Sequence, residues 1–496
     1  MNAFTETAKT RTIHGTTTEN GAYALSTTGT KLLDLYGSIG GLRHANDERI
    51  FDMLEAAIAE DRLLATKIVF YCRDIREGVG ERELARKMIK YLATHHPKLI
   101  KNNISLIGEY GRYDDLYTLI DTPLEEDMWG YMGKQLHEDL TNMAENKPVS
   151  LLAKWIKTAD ASSPNTRKLG IKTAVKLGYG NNIPTYKRLI RKLRKYIDVV
   201  ERKMSAGEWS DVRYENVPSR ASLLYRNAFK RHDDIRYTKY IDMVTKGTAK
   251  INTGAVTPYD LVHKLYSASY YETFYEDETV EAMWKQLPDY VDTDTNILCV
   301  VDTSCSMDGR PIEVALGLGL YFAEHNKGDY KDLFITFSKK PAFQAIRGNT
   351  LSEKLDSMGR DYWGNNTDLI SAFRLILDHA IEHNVPEKDM PKAIIVISDM
   401  EIDNCTEDSY IYRTAIEELE IEFEESGYKL PNLVFWNVQS RNNVFHTDAD
   451  RRGVQLASGE SPAIFKSVID CLGYTPFESM MEVLNSHRYD PITIIL

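Results

Sequence analysis

Near residue 290 the spacing of apolar residues changes, and the chain must fold differently on the two sides of this point. Upstream, apolar residues recur every three or four positions, as on the buried face of amphipathic helices. This spacing is clear in Leu54, Ile58, Leu63, Leu64, Ile68 and Val69. Downstream, compact β-branched runs alternate with helical segments, which is typical of a sheet covered by helices. Because 496 residues exceed what one hydrophobic core usually organises, we expect two or three domains.

The front region, residues 31–290, is predicted to be an all-α helical-repeat array. Gly, Pro and Asn interrupt its helical pattern at several points: Gly78-Val79-Gly80, His96-Pro97, Asn181 to Pro184 and Val217-Pro218. Short helices between such breaks are typical of helix pairs that stack as a solenoid. Residues 1–30 are rich in Thr and are expected to form a flexible arm.

The second region, residues 291–496, is predicted to be an α/β domain. Four runs have the character of strands buried on both faces: Ile297–Val301, Leu333–Phe337, Ala393–Ile397 and Leu433–Val438. Three intervening segments have helical periodicity: Pro311–Glu324, Asp368–His383 and Ser409–Glu425. The alternation predicts a mostly parallel, Rossmann-like sheet between two helix layers. Ala342–Ile346 is expected to add an antiparallel edge strand.

Composition favours a protein of the reducing cytoplasm. The five cysteines are scattered and form no C-x-x-C pair, which argues against a disulfide framework and a thiolate zinc site. The apolar runs, such as Ala393–Ile397, are far shorter than a membrane-spanning segment. We therefore expect no membrane partner and a cytoplasmic location.

Oxygen-bearing side chains follow the predicted strands of the second region. Asp302, Ser304 and Ser306 form a D-x-S-x-S motif after the first strand, Thr367 precedes a long helix, and Asp399 ends another strand. Such loops meet at the carboxyl edge of an open α/β sheet. Hydroxyls backed by carboxylates suit a hard divalent ion, so these five residues predict a site for Mg²⁺ or Mn²⁺. The alternative is a serine cluster that only caps the next helix.

This arrangement resembles the metal-ion-dependent adhesion site of von Willebrand factor A domains. The resemblance covers roughly residues 292–475, with all five positions in order on the expected elements. Cys305 is a departure, since relatives commonly carry Gly there. The resemblance implies a von Willebrand A fold. With few carboxylates around the ion, we expect an open coordination position that accepts an acidic group from a protein partner.

Motifs of the front region resemble the TROVE module, the helical-repeat part of the Ro RNA-binding autoantigens. They are Phe70–Arg76 with Gly80-Glu81-Arg82, and Gly111–Leu116. Further segments resemble an uncharacterised TROVE-like family of bacteria, viruses and plants: Val217–Ala221, Lys250–Ala255 and Ile397–Glu401. Together these cover most of residues 35–475. In the Ro relatives the repeats form a ring that binds small noncoding RNA and misfolded RNA ends, so the resemblance implies an RNA partner by analogy.

Positive charge is concentrated in the front region, although the whole chain has a net charge of −12. Between Arg167 and Lys203 there are twelve Lys or Arg residues and two acidic residues. If Tyr186–Met204 is one helix, six cations share the face opposite its apolar stripe: Lys187, Arg188, Arg191, Lys192, Arg194 and Lys195. A face of one sign repels itself and is easier to explain by a polyanionic partner.

We predict that RNA contacts Arg220 and the basic face, by which we mean Lys187, Arg188, Arg191, Lys192 and Lys195. The alternative is that the basic face pairs with the acidic second domain of the same chain. The leading hypothesis is a non-enzymatic scaffold for small noncoding or structured RNA, with a metal site for a protein partner and no DNA partner. Its rivals are a metal-dependent protein-interaction adaptor without RNA and, lower, a metal-dependent hydrolase.

Overall fold

The computed structural model describes residues 14–266, 276–291, 296–337, 341–358, 368–403 and 415–495. The first elements are two short antiparallel strands, β1 (Gly15–Thr17) and β2 (Tyr23–Leu25). Residues 1–30 were expected to be a flexible arm, but the described part of this segment is ordered and docked. The Thr18 hydroxyl donates to the carbonyl of Ile402 at 2.6 Å, and Leu25 exchanges two backbone hydrogen bonds of 2.8 Å with Phe445.

The front region is helical, as predicted. Its helices are α1 (Lys31–Ser38), α2 (Asp47–Glu60), α3 (Arg62–Arg73), α4 (Glu83–His95), α5 (Pro97–Ile100), α6 (Ile104–Tyr110), α7 (Glu125–Ala144), α8 (Leu152–Trp155), α9 (Pro164–Ala174), α10 (Ile183–Tyr196), α11 (Val200–Ala206), α12 (Ser219–His232), α13 (Asp234–Thr245), α14 (Pro258–Tyr266) and α15 (Glu278–Lys285). Short 3₁₀ turns connect them at Leu42–His44, Lys101–Asn103, Tyr113–Leu119, Trp209–Asp211 and Tyr214–Asn216, and Val175–Tyr179 is a π-helical turn.

Neighbouring helices of this region pack on each other, which confirms the helical-repeat array. The connection between α2 and α3 shows how the sequence produces this. Asp61 alone separates the two helices in an extended conformation, and its carboxylate accepts a hydrogen bond from the backbone of Leu64 at 2.8 Å. This N-cap satisfies one amide at the start of α3, so the chain reverses within a single residue.

The second region is a six-stranded sheet with helices on its faces. Its elements are β3 (Ile297–Asp302), α16 (Arg310–His325), β4 (Leu333–Phe337), β5 (Phe343–Ala345), α17 (Leu351–Ser357), α18 (Leu369–Glu382), β6 (Ala393–Ser398), α19 (Ala415–Glu425), β7 (Asn432–Asn437), β8 (Val454–Ser458), α20 (Phe465–Asp470) and α21 (Pro476–Leu484). Short 3₁₀ turns lie at Cys305–Met307, Glu387–Asp389 and Pro462–Ile464.

The spatial order of the strands is β5-β4-β3-β6-β7-β8, with every pair parallel except β4 with β5. This is the order of a doubly wound, Rossmann-like sheet, and the crossover direction reverses between β3 and β6. Every residue of β3 and of β6 is buried, as expected for strands covered on both faces. The α/β prediction and the antiparallel edge strand are confirmed, whereas β8 was not predicted.

One hydrophobic cluster runs through both regions, and a second cluster lies on the other face of the sheet. Leu261 of α14 and Leu316 of α16 belong to the same buried cluster, and these two helices pack on each other. Two glycines let α16 pack closely on its neighbours, Gly317 on α14 and Gly319 on β3. A Cβ atom on Gly317 would lie 3.1 Å from the backbone nitrogen of Tyr259, and one on Gly319 would lie 2.5 Å from Val301 of β3.

The end of the described chain also returns to the helical array. Helix α21 packs against α1 and α3. Beyond it, Arg488 donates two hydrogen bonds to the buried carboxylate of Asp74, at 2.7 and 2.8 Å. Asn103 and Thr493 exchange two further hydrogen bonds, at 2.7 and 3.1 Å. Residues 291–496 therefore do not form an isolated unit. In the described ranges, no helix is long and apolar enough to cross a membrane.

Candidate functional site

The predicted metal residues of β3 and β6 meet where the crossover direction of the sheet reverses. Because β3 and β6 are neighbours in parallel register, Asp302 at the end of one lies beside Ser398 at the end of the other. The Ser398 hydroxyl donates to Asp302 Oδ2 at 2.6 Å, and the backbone of Ser304 donates to Asp302 Oδ1 at 2.9 Å. The hydroxyls of Ser304 and Ser306 are 2.9 Å apart. We call this cluster, together with Asp399, the metal edge.

Burial makes negative charge costly at the metal edge. Asp302 is fully buried, and the loss of solvent together with the charge of Asp399 raises the pKa of its carboxyl to about 6. Burial also raises the pKa of Asp399, although the Arg441 guanidinium opposes that shift. A cation bound here would stabilise the ionised forms of both carboxylates.

Arg441 is a further member of the site, and no sequence motif identifies it. Its Nη2 lies 2.8 Å from Asp399 Oδ2 and also donates to the carbonyl of Ser306. Asp399 Oδ2 nevertheless accepts no well-aligned hydrogen bond. Arg441 stands in the loop after β7, more than 40 residues beyond Asp399, where no motif marks it.

The loop between β1 and β2 covers one side of the metal edge. The backbone of Glu19 donates to the carboxylate of Glu401 at 2.7 Å, and the Glu19 carboxylate lies 3.3 Å from Arg441. Between Asp399 and Glu401, Met400 adopts a left-handed conformation with φ of 67°. A left-handed non-glycine residue is uncommon and is often found beside functional sites.

The oxygen donors present at the metal edge fit a hard divalent ion. They comprise two buried carboxylates, one with an oxygen that lacks an aligned hydrogen bond, and two serine hydroxyls. The predicted ligand Thr367 lies outside the described residues. Within the described ranges, no group of three or more His, Cys, Asp or Glu side chains is placed to hold a metal ion. Any ion here would therefore depend on the serine hydroxyls as well.

The basic face lies on α10, which ends earlier than the predicted helix. The helix stops at Tyr196, Asp198 takes a left-handed φ of 53°, and α11 begins at Val200. Arg194 was assigned to the cationic side but is partly buried, since it donates to the carbonyls of Ala153 and Ile156 at 2.7 and 2.9 Å. The prediction of one helix over Tyr186–Met204 was wrong on these two points.

The five residues of the basic face do project from the body of the array. Arg188, Arg191, Lys192 and Lys195 are exposed, and Lys187 is half-buried. Lys187 and Arg191 share one carboxylate, Asp160, at 3.4 and 3.8 Å. Within the described residues, Arg188, Lys192 and Lys195 form no ion pair.

The pairs seen here do not join the basic face to the sheet. Asp160 belongs to the front region, and the acidic helix α19 has its own partners, with Glu420 on Arg451 and Glu422 on Arg374. Arg220, the sixth residue predicted to contact RNA, does not lie on the basic face. It donates to the carbonyl of Ala255 at 2.9 Å and to Asp260 at 3.0 Å, beside a different cavity.

The fold is a helical-repeat array joined to a Rossmann-like α/β domain. A family model described as "Domain of unknown function (DUF2828)" matches residues 18–130 and 181–296, and one described as "Domain of unknown function (DUF7788)" matches residues 296–488. The chain is 28% identical to "uncharacterized protein L728" of Acanthamoeba polyphaga mimivirus, over 96% of this chain and 88% of the viral protein. It also aligns with the crystal structure of the Deinococcus radiodurans RO (RSR) protein, with a TM-score of 0.38 and 13% identity over 88% of this chain and 93% of the other.

Proposed function

We propose that the protein is a non-enzymatic scaffold that binds small noncoding or structured RNA through the basic face of α10. The observation that carries this proposal is the number of cations on one exposed surface with too few carboxylates to neutralise them. Of the five cations, Lys187 and Arg191 share Asp160 and the other three form no ion pair among the described residues, which leaves a local excess of four positive charges. Phosphates of a nucleic acid would neutralise this excess and release counterions.

Two further observations support an RNA partner. The alternative, in which the basic face pairs with the acidic second region, finds no support in the described ion pairs of α10, which lie within the array. The motifs of the front region also resemble the TROVE module of Ro RNA-binding proteins.

We further propose that the metal edge holds Mg²⁺ or Mn²⁺ through Asp302, Ser304, Ser306, Thr367 and Asp399. A bound ion would supply a Lewis-acidic position for an acidic group of a protein partner. Arg441 and the ion would compete for Asp399, because the guanidinium lies 2.8 Å from one oxygen of that carboxylate. With Asp302 and Asp399 engaged as ligands, neither is left as a general base, and for that reason we propose no catalytic step.

The donors of the metal edge also favour a second candidate function, an adaptor that binds proteins through the metal and binds no RNA. Sequencing the RNA that co-purifies with the protein separates the two. The scaffold predicts defined RNA species that a nuclease-treated control lacks, and that a variant with Arg188, Lys192 and Lys195 changed to Glu fails to retain. Equal RNA recovery from both proteins would refute the role of the basic face, and no RNA from either would favour the adaptor.

A further inference from the structure

The motifs that mark the front region converge on one cavity between the helical array and the sheet. The cavity has a volume of about 430 Å³. Residues of the two TROVE-like motifs, of Val217–Ala221 and of Lys250–Ala255 line it together with residues 460–463. Six arginines take part: Arg43, Arg73, Arg82, Arg112, Arg220 and Arg310. We call it the arginine cavity.

On one side of the cavity, arginines outnumber the buried carboxylates that hold them. Asp114 Oδ2 lies within 3.2 Å of three guanidinium groups, those of Arg82, Arg86 and Arg112. The neighbouring Asp115 pairs with Arg73 at 2.8 Å and with Arg86 at 2.6 Å. Four guanidiniums thus face two buried acids, and the third acid in reach, Glu83, is largely exposed.

The opposite side joins the two regions of the chain through a second set of pairs. Glu460, from the loop after β8, accepts hydrogen bonds from both Arg43 and Arg310, the latter with its Nη2 at 2.8 Å. Arg43 also pairs with the buried Glu81. Arg310 stacks over Tyr259, with its guanidinium carbon 4.1 Å from the ring centre. These contacts hold the guanidinium groups of Arg43 and Arg310 in place before any ligand binds. Less side-chain entropy is then lost on binding.

The arginines repel each other where the carboxylates do not compensate them. Burial lowers the pKa of Arg82, and the nearby charges of Arg112 and Arg86 lower it further. The buried Nε of Arg82 forms no hydrogen bond. Six arginines and three glutamates line the cavity, so an anion that accepts from this free Nε would be stabilised by the excess of positive charge.

The rest of the wall suits a ligand larger than an inorganic ion. Ile75, Val256, Tyr290 and Pro462 contribute apolar surface. A Cβ on Gly254 would meet no atom within 4 Å, so the wall is open at that point. A volume of about 430 Å³ is in the range of small-molecule sites.

We propose that the arginine cavity binds a phosphomonoester of the nucleotide class, with the guanidiniums of Arg82, Arg112 and Arg220 on the phosphate. Planar guanidinium groups match phosphate oxygens in pairs, which an ammonium does not. The ligand has two possible sources with this chemistry, a free mononucleotide and the 5′-phosphorylated end of an RNA. The site does not depend on the basic face, which has no residue in the cavity.

The test uses the full chain and isothermal titration calorimetry with AMP and with adenosine. AMP should bind at least tenfold more tightly than adenosine, because only AMP has the phosphate. The double variant Arg82→Gln with Arg220→Gln should weaken AMP binding at least tenfold. Gly254→Leu should have a similar effect by filling the cavity without changing any charge. Arg213→Gln with Arg452→Gln is the matched control, since both arginines are exposed and paired elsewhere.

A second arm identifies the source of the phosphate. An RNA oligonucleotide with a 5′-phosphate is compared with the same sequence ending in a 5′-hydroxyl. If AMP binding is absent but the 5′-phosphate gives an affinity gain that the cavity variants abolish, the ligand is an RNA end. If neither AMP nor the 5′-phosphate is recognised, or if the cavity variants with unchanged melting temperatures bind them as wild type does, the proposal is overturned. If the wild-type protein binds AMP but binds no RNA at low salt, the scaffold is refuted and the cavity is not.

Discussion

Reversing the charge of Arg188, Lys192 and Lys195 to Glu gives the sharpest test of the basic face. These three residues are exposed and form no ion pair within the described part of the chain, so their replacement should not disturb the fold. The same change turns the local excess of four positive charges into an excess of two negative charges. Lys187 and Arg191 remain, but they share Asp160.

The magnitude follows from counterion release. The five cations less one carboxylate correspond to about four phosphate contacts, so log K should fall against log salt with a slope of about −2.8 for single-stranded RNA. Between 50 and 200 mM salt the wild-type affinity should therefore fall about 50-fold. In the variant, Lys187 and Arg191 face Asp160 and three new glutamates, so no net positive charge remains and the slope due to this face should fall to about zero.

Fluorescence anisotropy with a labelled RNA at four salt concentrations measures both slopes. The matched control changes Lys230, Lys246 and Arg452 to Glu, which alters the net charge from −12 to −18, as the test variant does. All three lie on other exposed surfaces and pair with neighbouring acids. If the salt slope of the control falls as much as that of the test variant, only the overall charge matters. If all three proteins have equal salt slopes, the role of the basic face is refuted.

Three other changes test the metal edge and the contacts between the two regions. Asp302→Asn should abolish calorimetric binding of Mn²⁺, because it removes the carboxylate charge at the centre of the donor cluster. Gly40→Ala should lower the free energy of unfolding by about 1–3 kcal/mol in urea, because a Cβ there would lie 2.3 Å from the backbone of Ser458. Arg488→Ala should cost about 3 kcal/mol in the same assay, because it leaves the buried carboxylate of Asp74 without its cation.

Each of these changes has a control in the same chain. Asp308→Asn alters an exposed carboxylate of the same loop and should keep Mn²⁺ affinity. Gly130→Ala adds a methyl group where no atom lies within 4 Å and should not destabilise. Arg452→Ala breaks an exposed pair and should cost less than about 1 kcal/mol. If a test variant behaves like its control, the role assigned to the changed residue is refuted.

The strands of the sheet were predictable because they are buried on both faces, so their sequences are continuous apolar runs. Strand β8 was missed because its core position 455 is a glutamine. Gln455 is tolerated there because its amide donates to the carbonyls of Cys471 and Tyr474, both at 3.0 Å. These partners come from outside the strand, so no local pattern shows that the glutamine can be buried.

The sites were predictable to the extent that they depend on local sequence. Asp302, Ser304, Ser306 and Asp399 follow their strands directly, and the sheet topology brings them together. Arg441 joins them only through the tertiary fold. The end of α10 depends on the left-handed conformation of Asp198, which an aspartate adopts only when its surroundings favour it.

The pairing of Asn103 with Thr493, 390 residues apart, has a consequence for synthesis of the protein. At about 5–20 residues per second, a ribosome needs roughly 20–80 s to make the intervening chain. Throughout this interval the surfaces of α1 and α3 that α21 covers have no partner, and Asp74 lacks Arg488. The apolar surface of the nascent helical array that α21 covers therefore stays exposed until this last helix emerges from the ribosome. Chaperone capture during translation should accordingly fall on the front region and end only after residue 488 has left the exit tunnel.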